Sequence, residues 1–150
     1  MDICRFLTLL AALAWAAAAT AAEKKVAMKD LPTPVQRTVQ AQMQGAALKG
    51  LAREVEAGKT GYEAELVVNG HTKDVIMNPD GSIATVEEEV PLASLPAPVK
   101  VAFERRTANG RILGVESITE HDAIVAYEAR IRTGARTVEV KVSPEGKLLK

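Results

Sequence analysis

The chain writes one pattern twice. Leu31-Pro32-Thr33-Pro34-Val35 returns as Leu95-Pro96-Ala97-Pro98-Val99, 64 residues later. Gly61-Tyr62-Glu63-Ala64-Glu65-Leu66 returns as Ala126-Tyr127-Glu128-Ala129-Arg130-Ile131, and Asn78-Pro79-Asp80-Gly81 as Ser143-Pro144-Glu145-Gly146, both at an offset of 65. Three matches in one order with a single slip of one residue identify a tandem duplication. That constraint restricts the fold to some unit that can be built twice in succession.

The residues before the first copy read as a targeting segment. Arg5 supplies a positive start, Phe6 to Ala19 an apolar run, and Ala19-Thr20-Ala21-Ala22 small residues for cleavage before Glu23. The apolar run falls short of the roughly 20 residues of a membrane span, so Met1–Ala22 is expected to be a signal peptide that leaves no stable membrane span once cleaved. Cleavage also removes Cys4 and Trp15, the only cysteine and tryptophan. A mature chain without a thiol has no disulfide, no cysteine-ligated metal and no cysteine nucleophile. The expected division is a flexible lead-in over 23–30, a first repeat over 31–90, a linker over 91–94 and a second repeat over 95–150.

Formal net charge is zero, yet the halves differ in sign. Leu31 to Leu92 holds five Lys/Arg against nine Asp/Glu, whereas Leu95 to Lys150 holds ten against seven. Neither half is basic or aromatic enough for a nucleic-acid module. The asymmetry instead points to attraction between halves, between copies, or to a polar partner.

Along each repeat the local signals follow one order. Thr33 reads as an N-cap with Pro34 as first helical residue; Val35, Val39 and Met43 then recur at helical spacing, and Gly45 ends the helix. In the second repeat Pro98 opens the helix, Val99, Ala102 and Phe103 form its apolar stripe, and Asn109-Gly110 closes it. Strands are expected at about Leu51–Glu56 and Val115–Glu120, with imperfect alternation. Asn69-Gly70 is a strong two-residue hairpin signal, and Gly134-Ala135 stands at the equivalent place. Turning there sets Tyr62 opposite Met77, Ala64 opposite Val75, Tyr127 opposite Val142, Ala129 opposite Val140, and Ile131 opposite Val138. These are apolar pairs, so turn chemistry and burial agree on one register. Asn78-Pro79-Asp80-Gly81 and Ser143-Pro144-Glu145-Gly146 read as further turns, placing Ile83 beside Met77 and Leu148 beside Val142. The fold class is therefore α+β: two tandem repeats, each a helix packed on a three- to four-stranded antiparallel sheet.

A helix opened by Leu-Pro-x-Pro-Val, a Tyr-Glu-Ala strand and a Pro-Asp/Glu-Gly turn resemble the PepSY-like superfamily of exported bacterial domains, over Leu31 to Lys150. The doubled form is similar to the arrangement of beta-lactamase-inhibitor proteins. That resemblance implies a periplasmic or secreted binding module, some of whose relatives are proposed to inhibit peptidases. The inhibitor proteins carry disulfides and a large aromatic contact surface. The mature chain has no cysteine and keeps only Tyr62, Tyr127 and Phe103 as aromatic residues, so the resemblance speaks for fold rather than for beta-lactamase inhibition.

Motifs of chemistry are weak. Ala57-Gly58-Lys59-Thr60-Gly61 lacks the leading glycine of a phosphate loop, where Arg53 stands, and falls between strands. His71 and His121 lie in different repeats, and Glu120-His121-Asp122 is a loop that nothing requires to hold a metal. No serine has a nucleophile context, and the paired carboxylates lie on open strands. No catalytic residue, metal or cofactor is expected.

The outward hairpin faces are more informative. Glu128 opposes Lys141 and Arg130 opposes Glu139 in the second repeat, whereas Glu65 opposes Asp74 in the first, with Glu63 beside them and Glu88 expected on the same face. Like charges directly opposite are unfavourable. Glu63, Glu65, Asp74 and Glu88 are thus the candidate partner-binding residues, placed to receive a basic segment of a protein or peptide. The same face offers two other readings: an envelope ligand or cation sensor, or a structural protein that self-associates as a homodimer through halves of opposite sign.

Overall fold

The computed structural model describes residues 24–149 except 57 and 108; the expected signal peptide lies outside the described residues. Two short amphipathic helices supply the apolar stripes. Helix α1 (Thr33–Gln42) buries Val35 and Val39, and helix α2 (Ala97–Thr107) buries Val99 and Phe103. Pro34 and Pro98 sit in the first turns, where a missing N–H costs nothing. Thr33, expected as the N-cap, is instead the first helical residue. Pro32 occupies the cap and no side chain caps it.

Among the described residues eight strands accompany these helices: β1 (Lys24–Lys25) before α1, β2 (Ala47–Glu56), β3 (Lys59–Val68), β4 (His71–Met77) and β5 (Ile83–Glu89) between α1 and α2, and β6 (Arg111–Glu120), β7 (Ala123–Thr133) and β8 (Arg136–Val142) after α2. They form one antiparallel sheet in the order β1 to β8. The architecture is α+β, but the expectation of two sheets of three or four strands is corrected. Strand β5 pairs with β6 through Val86–Thr119, Glu87–Ile118, Glu88–Ser117 and Glu89–Glu116, so the sheet runs continuously past the middle of the chain. Sequence pattern cannot reveal this, because edge strands of separate sheets and adjoining strands of one sheet share the same alternation.

Both hairpin registers match the sequence-based expectation. Tyr62 faces Met77 and Ala64 faces Val75; Tyr127 faces Val142, Ala129 faces Val140, and Ile131 faces Val138. The first turn places both Asn69 and Gly70 at positive φ, the geometry that favours this dipeptide. Strands β2 and β6 begin about four residues earlier than expected. Bulges between Leu48 and Gly50, and between Ile112 and Gly114, break the alternation there.

Two apolar cores lie on one face of the sheet. Leu31, Val35 and Val39 pack on Leu51, Ala64, Leu66, Val75 and Met77. Leu95, Val99 and Phe103 pack on Val115, Tyr127, Ala129, Ile131 and Val142. Tyr62 is packed against the first core and Tyr127 lies inside the second. Between the cores, buried Ser117 donates its hydroxyl to the Glu88 carbonyl at 3.4 Å.

A second contact fixes each helix to its sheet. In the turn after β4, Gly81 sits at φ 85°, and a Cβ there would stand 2.7 Å from the Pro34 carbonyl carbon. Gly146 (φ 77°) meets Pro98 in the same way. Thr38 also donates its hydroxyl to the Gly81 carbonyl at 2.6 Å. The two Pro-x-Gly turns are thus shaped by close approach to a helix N-terminus as well as by chain reversal. Gly81→Ala or Gly146→Ala combines positive-φ strain with a steric clash, and each is expected to cost about 1–3 kcal/mol in urea unfolding. Phe103→Ala should cost about 3–5 kcal/mol in the same measurement.

Candidate functional site

The two helices cover one face of the sheet; the opposite face carries the charge. Its side chains lie in rows, because directly paired residues share a face. One row runs Gly50, Glu65, Asp74, Glu87, Ile118 across β2 to β6. A neighbouring row runs Glu89, Glu116, Glu128, Lys141 across β5 to β8. Glu63 opposes Ile76 in a third. Three carboxylates in direct cross-strand succession, twice over, form an acidic stripe crossing the sheet at a slant.

Glu63, Glu65 and Asp74 share this open face as the sequence implied; Glu88 does not. Met77 pairs with Ile83, as expected, but Ile76 pairs with Thr85, leaving Ala84 as an extra residue. A one-residue bulge reverses the face of every later side chain on its strand. Asp74 therefore faces Glu87, while Glu88 faces Lys73 on the helix-bearing side. Glu87, Glu89, Glu116 and Glu128 are the members that sequence reasoning missed. The bulge hid the first two, and the β5–β6 pairing that brings the others alongside left no mark in the sequence.

Electrostatics of the stripe follow from crowding and partial burial. Burial pushes the Glu63 carboxyl up to about 8, aided by a carboxyl–carboxyl hydrogen bond and repulsion from Glu54, with further repulsion from Asp74 and Glu65. Burial raises Asp74 and Glu65 adds to it. Burial also raises Glu87 against the pull of Lys141, and raises Glu116 against the pull of Arg130. Few cations answer this charge. Lys141 Nζ lies 3.3 Å from Glu128 Oε2, and His71 Nδ1 lies 3.9 Å from Glu89 Oε2. The Glu65 side chain is seated over Gly50, where a Cβ would stand 2.9 Å from its Cδ. Its counterpart Arg130 lies over Gly114 in the same manner. A glycine beneath each leaves room for these charged side chains to lie along the sheet.

Among the described residues no cluster of three or more Asp, Glu or His side chains is arranged to hold a metal ion, and no helix is long and apolar enough to cross a membrane. His121 and Asp122 form the tight β6–β7 turn, both at positive φ.

Comparisons with known proteins address the fold. No family model matches the chain, and no curated protein does. Solved structures do match. A candidate periplasmic protein of Bacteroides eggerthii is 21% identical with a TM-score of 0.65, covering 80% of this chain and 86% of that one. A DUF2874 family protein of Bacteroides ovatus is 24% identical with a TM-score of 0.60, covering 80% and 85%. A BLIP-like protein of Bacteroides fragilis is 20% identical with a TM-score of 0.58, covering 80% and 84%. The chain shares its fold with DUF2874 and BLIP-like proteins.

The raised Glu63 carboxyl has a signed consequence. Its folded pKa of about 8 exceeds the ordinary 4.5, so between those values the folded state holds a proton that the unfolded chain releases. Its contribution is full below the lower value and lost as pH rises through the upper one. Asp74, Glu87 and Glu116 act in the same direction. The melting temperature is expected to fall by a few degrees, roughly 2–4 °C, from mildly acidic to mildly alkaline pH, and Glu63→Gln should flatten that slope. A melting temperature independent of pH in wild type and variant alike would contradict the assignment.

Proposed function

We propose that this chain is an exported, non-enzymatic binding module of the periplasm or the extracellular space, built from two tandem PepSY-like units, which takes a protein or peptide partner on its open sheet face. The observation that carries the reading is the in-register succession of Glu65, Asp74 and Glu87, partly buried and without cationic partners in the same row. Directly opposed like charges weaken a sheet by about 0.2–1 kcal/mol per pair. An arrangement that costs stability when empty and gains Coulomb energy when a cation arrives is suited to binding.

The shape of the stripe describes the partner. Strands lie about 4.8 Å apart and rise about 3.3 Å per residue, so carboxylates spread from β3 to β7 call for separated cationic side chains. An extended segment carrying several Lys or Arg fits this better than a single ion. Its ammonium or guanidinium groups would replace the protons held by the raised carboxyls, so binding should release protons and strengthen with rising pH. Inhibition of a hydrolase, by occluding it with no chemistry on this chain, is one version of the same mechanism. The export reading draws on the leading segment and on the structural likeness to a candidate periplasmic protein.

The test is direct binding of a Lys/Arg-rich peptide of about ten residues, followed by calorimetry across salt concentrations. Affinity should fall with added salt. In Glu65→Gln/Asp74→Asn it should drop at least about fivefold, the equivalent of about 1 kcal/mol, while the fold becomes slightly more stable. Equal affinity in wild type and variant would remove the acidic face from the account.

A further inference from the structure

The duplication extends to the edges of the sheet, because β1 is a copy of the end of β5. Lys24 opposes Arg53 and Lys25 opposes Ala52 on β2, just as Glu88 opposes Ser117 and Glu89 opposes Glu116 on β6, 64 residues later. The next contact is copied too: the Val26 N–H donates to the Leu51 carbonyl at 3.0 Å, and the Val90 N–H to the Val115 carbonyl at 2.9 Å. Strand β5 therefore has two roles, closing the first unit beside β4 and opening the second beside β6. At the two edges of the sheet those roles fall to separate segments.

At the far edge, Leu148 bridges Val142 as Ile83 pairs with Met77, and the Leu149 N–H donates to the Lys141 carbonyl at 2.9 Å. Leu149 thus stands at the place of Ala84. Among the described residues nothing takes the places of Thr85 to Glu89 alongside β8, whose outer side lacks the strand that its counterpart β4 has. Successive residues of an antiparallel strand turn their N–H and C=O groups to alternate sides. The Lys141 carbonyl faces outward, so the main-chain groups of Glu139 and Thr137 do too. The Val26 N–H faces β2, so those of Lys25 face away from it.

We infer that β8 of one copy takes β1 of a second copy, head to tail, in the register that β4 and β5 already use. Carried to the two edges, that register sets Lys24 opposite Val138 and Lys25 opposite Thr137. The outward main-chain groups of Thr137 and Lys25 then face each other as a hydrogen-bonded pair. Two features favour a second copy over an unrelated extended segment. The partial strands meet without overlap, since Leu149 holds the place of Ala84 and the incoming Lys24 that of Glu88. The helices also clear each other, because α2 of one copy and α1 of the next stand as α1 and α2 do across β5 within one chain.

The contact is heterologous, so each added copy presents a fresh β8 edge and assembly does not stop at two. A few residue pairs bury far less than the roughly 1,000 Å² of a stable interface, which makes it weak and concentration-dependent. Charge plays little part: Lys25 comes diagonal to Glu139, but Lys24 comes diagonal to Arg136. The acidic face stays open, so this assembly is independent of the binding proposed above.

Sedimentation of the processed protein at concentrations up to about 1 mM tests it. The average mass should rise steadily with concentration and change little between low salt and about 0.5 M salt. Thr137→Pro blocks β8 and Lys25→Pro blocks β1; each removes an outward N–H, at an edge position where proline is tolerated. Each variant alone should be monomeric. Mixed in equal amounts they should form a one-to-one heterodimer and nothing larger, because each supplies the edge that the other lacks. Amide exchange reads the same contact in the wild type without a substitution: the Thr137 and Lys25 N–H groups should exchange more slowly at high concentration than at low. A wild type that is monomeric throughout, an assembly that survives in either variant, or exchange at both groups that ignores concentration overturns the inference.

Discussion

Pairing of β5 with β6 is the interaction on which the rest of the molecule depends. Four residue pairs, Val86–Thr119 to Glu89–Glu116, join what would otherwise be two small sheets. The join keeps α1 and α2 on the same side, so the two apolar cores share one face, and among the described residues no helix covers the other. It also aligns strands of unlike composition. Acidic β3, β4 and β5 become neighbours of β6 and β7, whose far ends carry the arginines. A charge difference between halves, which in separated lobes would be a bulk property, becomes a pattern on a single surface.

Stability and the charged face pull in opposite directions, and the fold keeps them apart. Helix-bearing positions are apolar and closely packed: Val35, Val39, Val75, Met77, Val99, Phe103 and Val142 are each no more than 1% exposed. The turns at Gly81 and Gly146 lock each helix start onto its sheet. With cohesion supplied there, the opposite face can carry unfavourable carboxylate neighbours and remain ordered. The half-buried setting of those carboxylates raises their affinity for protons, and by the same electrostatics for any cation that replaces a proton.

Much of the local structure could be read directly. Asn69-Gly70, Gly134-Ala135 and the two Pro-x-Gly turns each specify a backbone reversal by their own chemistry, and the apolar alternation flanking them confirmed the register. Both helices were legible from proline, spacing and closing glycine. What was not legible were interactions between distant segments and small departures from regularity. The extra residue Ala84 moved Glu88 to the helix-bearing face and put Glu87 in its place. Bulges at Lys49 and Leu113 hid the starts of β2 and β6. The β5–β6 pairing brought Glu116 and Glu128 into the stripe, and nothing in either strand taken alone distinguishes a joined edge from a free one.

The central claim is that neighbouring carboxylates on the open sheet face are held with few compensating cations. A carbon-detected NMR titration of the carboxyl groups reads this residue by residue. Glu63 should titrate near 8 and Asp74, Glu87 and Glu116 above their ordinary values. Ordinary values at all four would mean that the stripe is solvated and relaxed, and would contradict the account.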